Sequence, residues 1–392
     1  MIESLPHAPA EIQRRDRKIL YGAAFLRALA TGMIGVLLGL YLSRLHFSPA
    51  EIGLVIGVGL TGGAIATLSV MLMGDRLGRK AFLLLLAILG MIGVAVVALS
   101  SDAAVVGVAA FLGMVNGMGR DRGASLVLEQ AILPATAPDA ERTRSFARYN
   151  VLQDIGHALG SLLAGTPALL SYLGVGEIVA FRLTLGIYVF LVFLTLLLYL
   201  GLSPAIEVRA RRPAFQVSAE SRRTLWKISS LFALDSFGGG FVMTSLLSYF
   251  FYERFGVGEE IIGMLFFGAR AANALSHLGA AWLAKRIGLV NTMVFTHIPS
   301  SLLLAAVPFA PSFQVAAILF LLREGLVEMD VPTRQSYVMA VVRSEERNLC
   351  LQPHPSRSLG GLGCRPLFRR ALYAGALACH PSLHRLRHEG FL

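Results

Sequence analysis

Along the first 347 residues, apolar side chains come in runs of about twenty, separated by short stretches that hold much of the charge. An α-helix rises about 1.5 Å per residue, so a run of this length crosses the ~30 Å hydrocarbon layer of a bilayer. Ten such segments are predicted, at approximately Ile19–Leu42, Ile52–Met73, Ala81–Ser100, Ala103–Leu133, Ser145–Leu170, Ile178–Gly201, Ile228–Tyr252, Ile261–Ala284, Leu289–Ala310 and Phe313–Val342. The first is too long for a cleaved signal segment and is followed by no small-residue cleavage site, so it reads as a spanning helix. The fold class this pattern predicts is an all-α integral membrane protein.

Composition points the same way. The chain is 55% hydrophobic and 15% charged, whereas a water-soluble protein carries roughly 25% charged residues. The net charge of +11 suits either nucleic acid or the cytoplasmic side of a membrane, and its placement decides between them. With the N-terminus inside, the cytoplasmic segments hold 19 basic residues: Arg14, Arg15, Arg17 and Lys18; Arg76, Arg79 and Lys80; Arg142 and Arg144; Arg209, Arg211, Arg212, Arg222, Arg223 and Lys227; Lys285 and Arg286; Arg343 and Arg347. The opposite side has Arg44 and Arg254. This asymmetry is the positive-inside pattern and argues against nucleic-acid binding. The three cysteines, Cys350, Cys364 and Cys379, all lie in the last 45 residues and form no metal-pair spacing, so no metal and no cofactor are expected.

The polar stretch at 203–227 divides two comparable hydrophobic blocks. Gly53, Arg76 and Gly78 recur 210 positions later as Gly263, Arg286 and Gly288, the mark of an internal duplication. The expected organisation is a cytoplasmic N-terminus at 1–18, a six-helix bundle at 19–202, a cytoplasmic linker at 203–227, a second bundle at 228–347 with four recognisable helices, and an atypical tail at 348–392.

Between the second and third segments the chain reads Gly74-Asp75-Arg76-Leu77-Gly78-Arg79-Lys80, followed by Ala81, Phe82 and Leu83. Asp75, Arg76, Gly78, Arg79, Lys80 and Leu83 make this loop resemble the signature loop of the major facilitator superfamily, with Met71 in place of the usual first glycine. The resemblance implies a two-bundle fold with twelve helices, about ten of them recognisable here. It also implies a cytoplasmic gate in which Asp75, Arg76, Gly78, Arg79 and Lys80 latch the two halves during alternating access. The second-half counterpart, Lys285-Arg286-Ile287-Gly288, lacks the aspartate. In the fifth segment, Gly156, Gly160, Gly165 and Pro167 are spaced in a way that resembles the glycine-rich motif of drug/proton antiporters; close helix packing accounts for the same spacing.

An ionisable group near the bilayer centre costs roughly 2.5–3.5 kcal/mol on insertion scales, so intramembrane charges should face a partner or a wet cavity. The near balance of signs among Arg120, Asp121, Arg122 and Glu129 in the fourth segment, and Arg323, Glu324, Glu328, Asp330 and Arg334 in the tenth, predicts an intramembrane charge network. Asp154 and His157 share a face of the fifth helix, as do Arg270, Asn273 and His277 on the eighth. Arg27 and Asp235 stand alone in the first and seventh. These seven residues are the expected substrate and ion pathway, with Arg27 and Arg270 as counter-charges for an anionic or zwitterionic solute and Asp154 or Asp235 as a carrier of a coupling proton.

From Asn348 onward the apolar pattern stops, and the excess of Arg, Pro, Leu, His and Cys is what a shifted reading frame or a degenerate end gives. The reading that follows is a secondary active transporter moving a small solute by alternating access, with proton-coupled efflux as its finer form. The rival is a degenerate, non-transporting scaffold or sensor. No G-x-x-x-x-G-K-S/T phosphate loop, H-E-x-x-H or G-x-S-x-G is present, so no enzyme is expected. The expected partners are a small-molecule substrate, a proton and the lipid bilayer. The expected state is a monomer in the cell's inner membrane with a cytoplasmic N-terminus.

Overall fold

The computed structural model describes residues 9–121, 123–138, 141–207, 243–327 and 329. Among the described residues the regular structure is helical. The helices are α1 Ala10–Arg44, α2 Pro49–Leu77, α3 Arg79–Leu99, α4 Ala103–Gly113, α5 Ala124–Ile132, α6 Arg142–Leu163, α7 Thr166–Tyr172, α8 Glu177–Leu200, α9 Thr244–Phe255, α10 Glu259–Ile287, α11 Leu289–Ala306 and α12 Phe313–Val327.

Local chemistry explains several boundaries. Ser48 caps α2 by accepting from the Glu51 amide while the Glu51 carboxylate accepts from the Ser48 amide at 2.8 Å, a reciprocal capping box. Gly78 (φ +100°) and Gly288 (φ +85°) form the turns that precede α3 and α11. Both carry a positive φ that L side chains avoid, and they are 210 positions apart, so the duplicated sequence has a duplicated backbone turn.

Two predicted spans are broken. The fourth is interrupted between α4 and α5, where Met114 (φ 54°) and Gly119 (φ +66°) take left-handed conformations among several glycines. Asp121 therefore sits in irregular chain ahead of α5 and shares no helical face with Glu129, although the sequence places both in one span. The fifth ends at Leu163, because Pro167 lacks an amide hydrogen and starts α7 in its first turn.

Five helices among the described residues are long and apolar enough to cross a membrane: Ala10–Arg44, Pro49–Gly74, Arg79–Leu99, Glu177–Leu200 and Asn291–Phe309. Their outer faces carry large exposed apolar side chains, such as Leu54, Ile65, Leu85, Ile92, Phe190 and Leu197. Such faces suit lipid as the solvent, and the chain is a multi-pass membrane protein.

The described residues group into two compact units, one holding 9–207 with Met243–Arg270 and the other running on from Ala271. In the first, α1 is the central column. Leu20, Ala23, Ala24 and most of the stretch from Ala28 to Leu42 are buried, and α6 and α8 pack along it, with α3 against α8 and α2 against α4. In the second, α11 and α12 pack on each other. The grouping places α9 and the start of α10 with the first unit, whereas hydropathy alone draws the division at the linker. The remainder of that linker after residue 207, Asp235 and the tail at 348–392 lie outside the described residues, as do Arg122, Glu328, Asp330 and Arg334.

Candidate functional site

The packing of α1 begins with its glycines. A Cβ at Gly156 of α6 would stand 2.8 Å from both the Ala28 Cβ and the Phe25 carbonyl oxygen, and one at Gly160 would stand 3.0 Å from the Met33 amide nitrogen. In return, Gly32 of α1 lies against the His157 backbone, where a Cβ would come 2.9 Å from its Cα. These small residues let the two backbones touch, as in close-packed membrane helices. Packing on α1 thus accounts for Gly156 and Gly160.

Further along α1, beyond Gly32, the helix meets α9. Ser245 Oγ donates to the Gly35 carbonyl at 2.6 Å, and Ser43 Oγ donates to Glu253 Oε1 at 3.4 Å. Each pair is separated by 210 residues, the repeat offset read in the sequence. Two contacts at one offset, eight residues apart, mean that α1 and α9 run parallel and in register.

A buried ionic network sits beside this seam. Arg27 binds Asp121 through Nε and holds Glu129 in a two-pronged grip, Nη1 to Oε1 at 2.6 Å and Nη2 to Oε2 at 2.7 Å. Glu129 is wholly buried. It also accepts from the Tyr149 hydroxyl at 2.5 Å and the Tyr199 hydroxyl at 2.6 Å, and the Tyr199 oxygen accepts from Arg27 Nη1 at 2.6 Å. Paired, charge-assisted bonds of this kind are what permit ionised groups in an apolar interior. The Asp121 amide donates to His157 Nε2 at 2.9 Å, which ties the irregular segment to α6. Arg270 Nη2 reaches the same segment, donating to the Gly119 carbonyl at 3.3 Å and the Thr244 hydroxyl at 3.4 Å.

The structure thus brings together Arg27, Asp121, Glu129, His157 and Arg270, which the sequence divides between a pathway and a separate charge network. Arg27, the one charge in the apolar run Ile19–Leu42, is neutralised by two carboxylates from distant chain, so it is not a bare counter-charge. Arg120 lies in the same irregular segment. Asp154 and His157 share a helical face by spacing but not an environment, since His157 is buried and Asp154 is exposed. In the second unit, Asn273 Nδ2 donates to Glu324 Oε2 at 2.9 Å, and Glu324 pairs with the adjacent Arg323. The His277 and Asp75 side chains lie outside what the structure describes.

Sequence reasoning missed Tyr149 and Tyr199, although a tyrosine within an apolar helix is a usable signal because its hydroxyl needs a partner when buried. It also missed the use of the signature loop's cations inside the first unit. Lys80 Nζ donates to the Leu200 and Leu202 carbonyls at 2.8 and 2.6 Å, and Arg79 Nη1 donates to the Ala131 carbonyl at 3.3 Å. Glu207 accepts from the Arg79 and Lys80 amides at 2.7 and 2.9 Å, capping α3 with a carboxylate at its positive end. Asp16, buried, accepts from the Ser203 hydroxyl at 2.5 Å. Arg76 is exposed.

A second ionic cluster closes the other end of the first unit. Arg44 pairs with Glu177, lies 3.9 Å from Glu259, and stands over the Tyr252 ring at 4.7 Å. Burial pushes the Glu259 carboxyl above its ordinary range, an effect that its own backbone hydrogen bond and Arg44 partly offset.

Comparison with known proteins agrees with this architecture. The family model described as Major Facilitator Superfamily matches residues 20–349. The uncharacterized membrane protein YJR124C of Saccharomyces cerevisiae is 24% identical over 367 residues, which cover 85% of this chain and 82% of that protein. Among solved structures, the nucleoside transporter NupG is similar at TM-score 0.65 and 14% identity, covering 94% of this chain and 88% of that one. A bacterial homolog of the human lysosomal transporter Spinster, inward-facing and unoccupied, is similar at TM-score 0.64 and 16% identity, covering 94% and 80%. A D-xylose–proton symporter is similar at TM-score 0.60 and 15% identity, covering 94% and 88%.

Proposed function

Since the chain belongs to the Major Facilitator Superfamily, it is read as a secondary transporter, and we propose that it is a proton-coupled carrier of a small polar solute bearing an anionic group. The observation that carries this reading is the network of Arg27, Asp121 and Glu129. Buried ions are costly in a membrane protein and mark solute or ion pathways more often than they serve the fold. In this proposal the network fixes the irregular segment at Asp121 as a wall of the pathway. Arg270, donating to that segment, supplies the counter-charge for the solute, and His157, Asp154, Asn273, His277 and Asp235 complete the pathway.

A coupling proton would reside on a carboxyl whose counter-charge changes as solute binds, with Asp154 and Asp235 as the candidates. The exposed Arg76 and its neighbour Asp75 form the cytoplasmic gate, while Arg79 and Lys80 brace it by binding within the first unit. Residues 1–18 lie in the cytoplasm, and the carrier works as a monomer in the inner membrane. Export is the direction that the fifth-segment glycine pattern resembles.

The test is counterflow and pH-jump uptake in proteoliposomes, screening labelled nucleosides, sugars and small organic anions. Saturable exchange of an anionic solute that is accelerated by an imposed proton gradient, and lost in Arg270→Ala, is the expected result. Loading the gradient in either direction reports import against export. No exchange of any solute by a correctly folded protein would favour the rival reading, a membrane scaffold of the same fold.

A further inference from the structure

The N-terminal parts of α1 and α6 border an open cavity of about 680 Å³. Five cationic side chains converge on it: Arg14, Arg17 and Lys18 from α1, and Arg144 and Arg148 from α6. Arg17 has an acidic partner, the half-exposed Glu141 at 3.3 Å. Among the described residues, no acidic side chain pairs with Arg14, Lys18, Arg144 or Arg148. Like charges gathered in one concavity repel each other, and an anion bound among them relieves that repulsion.

The rest of the lining indicates which anion. Tyr21, Val151 and Leu152 give the cavity an apolar side, and the Tyr21 hydroxyl donates to the Ser145 carbonyl at 3.2 Å, linking α1 to α6 across it. The three α1 cations stand within the five residues ahead of Ile19, where the first apolar run begins, and the Tyr21–Ser145 bond sets Arg144 and Arg148 beside them, so the group lies at the depth of lipid phosphates with hydrocarbon immediately beyond. A soluble phosphate needs the cations alone. A phospholipid uses both the cations and the apolar wall, and basic pockets between membrane helices take anionic headgroups in this way.

We propose that this cavity binds the phosphodiester headgroup of an anionic phospholipid, which bridges the ends of α1 and α6. The inference needs only a bilayer and stands whether or not the chain transports. The test uses the full chain in a neutral detergent, with dioctanoyl phosphatidylglycerol, dioctanoyl phosphatidylcholine or inorganic phosphate added. Binding is read by native mass spectrometry and by thermal shift.

Phosphatidylglycerol is expected to bind and to raise the melting temperature in a salt-sensitive manner, while phosphatidylcholine and inorganic phosphate do neither. Each cation removed near a membrane surface weakens anionic-lipid binding about five-fold, so Arg144→Gln with Arg148→Gln should weaken it about 25-fold. Lys18→Gln, the gentler variant, should weaken it about five-fold. Arg254→Gln, outside the cavity, should leave it unchanged. Equal binding of phosphatidylcholine, equal binding of inorganic phosphate, or phosphatidylglycerol affinity untouched by the cavity variants would overturn the proposal.

Discussion

Replacing Arg27 with methionine removes the one guanidinium that holds Asp121 and Glu129 together, while keeping a long apolar stem in its place. Glu129 would lose two charge-assisted bonds of 2.6 and 2.7 Å and keep only the hydroxyls of Tyr149 and Tyr199. Asp121 would lose its partner across the bundle. Removing one member of a buried ion pair costs roughly 3–5 kcal/mol, because the other is left charged and desolvated. Arg27→Met should therefore destabilise the protein by about that amount. Glu129→Gln should cost less, since the amide oxygen still accepts. The double variant should be at least ~2 kcal/mol more stable than the sum of the two losses predicts, because it no longer leaves Glu129 as a stranded charge. Unfolding titrations with SDS in mixed micelles, followed by tryptophan fluorescence and circular dichroism, measure all three. Strictly additive losses, or an Arg27→Met protein as stable as the parent, would refute the claim that these residues form one network.

Three further outcomes follow from other parts of the structure. Gly160→Val should destabilise the α1–α6 seam by several kcal/mol, beyond the ~1–3 kcal/mol usual for overpacking, because backbone atoms of Leu29 and Met33 occupy the space; the same titration reads it, and a neutral effect would show that the helices separate easily. Glu207→Ala should cost about 1 kcal/mol by uncapping α3, with faster amide exchange at Arg79 and Lys80 as the local readout. Glu259 has its folded-state pKa raised by burial, so its contribution to stability is full below the ordinary carboxylate pKa and is lost as pH rises through the folded value. Glu259→Gln should accordingly be more stable than the parent at neutral pH, with the difference shrinking on acidification; thermal melts across pH 4–8 test this, and a difference that grows on acidification would reverse the assignment.

Much of the fold was legible because the bilayer imposes one length scale and one chemistry. Runs such as Ala81–Ser100 and Ile178–Gly201 match α3 and α8 to within a few residues, since an apolar run of that length in lipid has few alternatives to a helix. The breaks were harder to see. Hydropathy reads Ala103–Leu133 as continuous, and only the left-handed Met114 and Gly119 show that the chain unwinds before Asp121. Helical spacing also grouped Asp154 with His157, yet it gives no information about which neighbours a helix has on each side.

Taken alone, the sequence determined that the chain lives in lipid, that it is duplicated at an offset of 210, and that its charges within the membrane need partners. It could not determine who those partners are. Arg27 finds Asp121 and Glu129 94 and 102 residues away, and Ser245 finds Gly35 at a separation of 210. Such pairings depend on which helix faces meet, and that is settled by the close approach of backbones at glycines and by the electrostatic requirement that no buried charge remain alone.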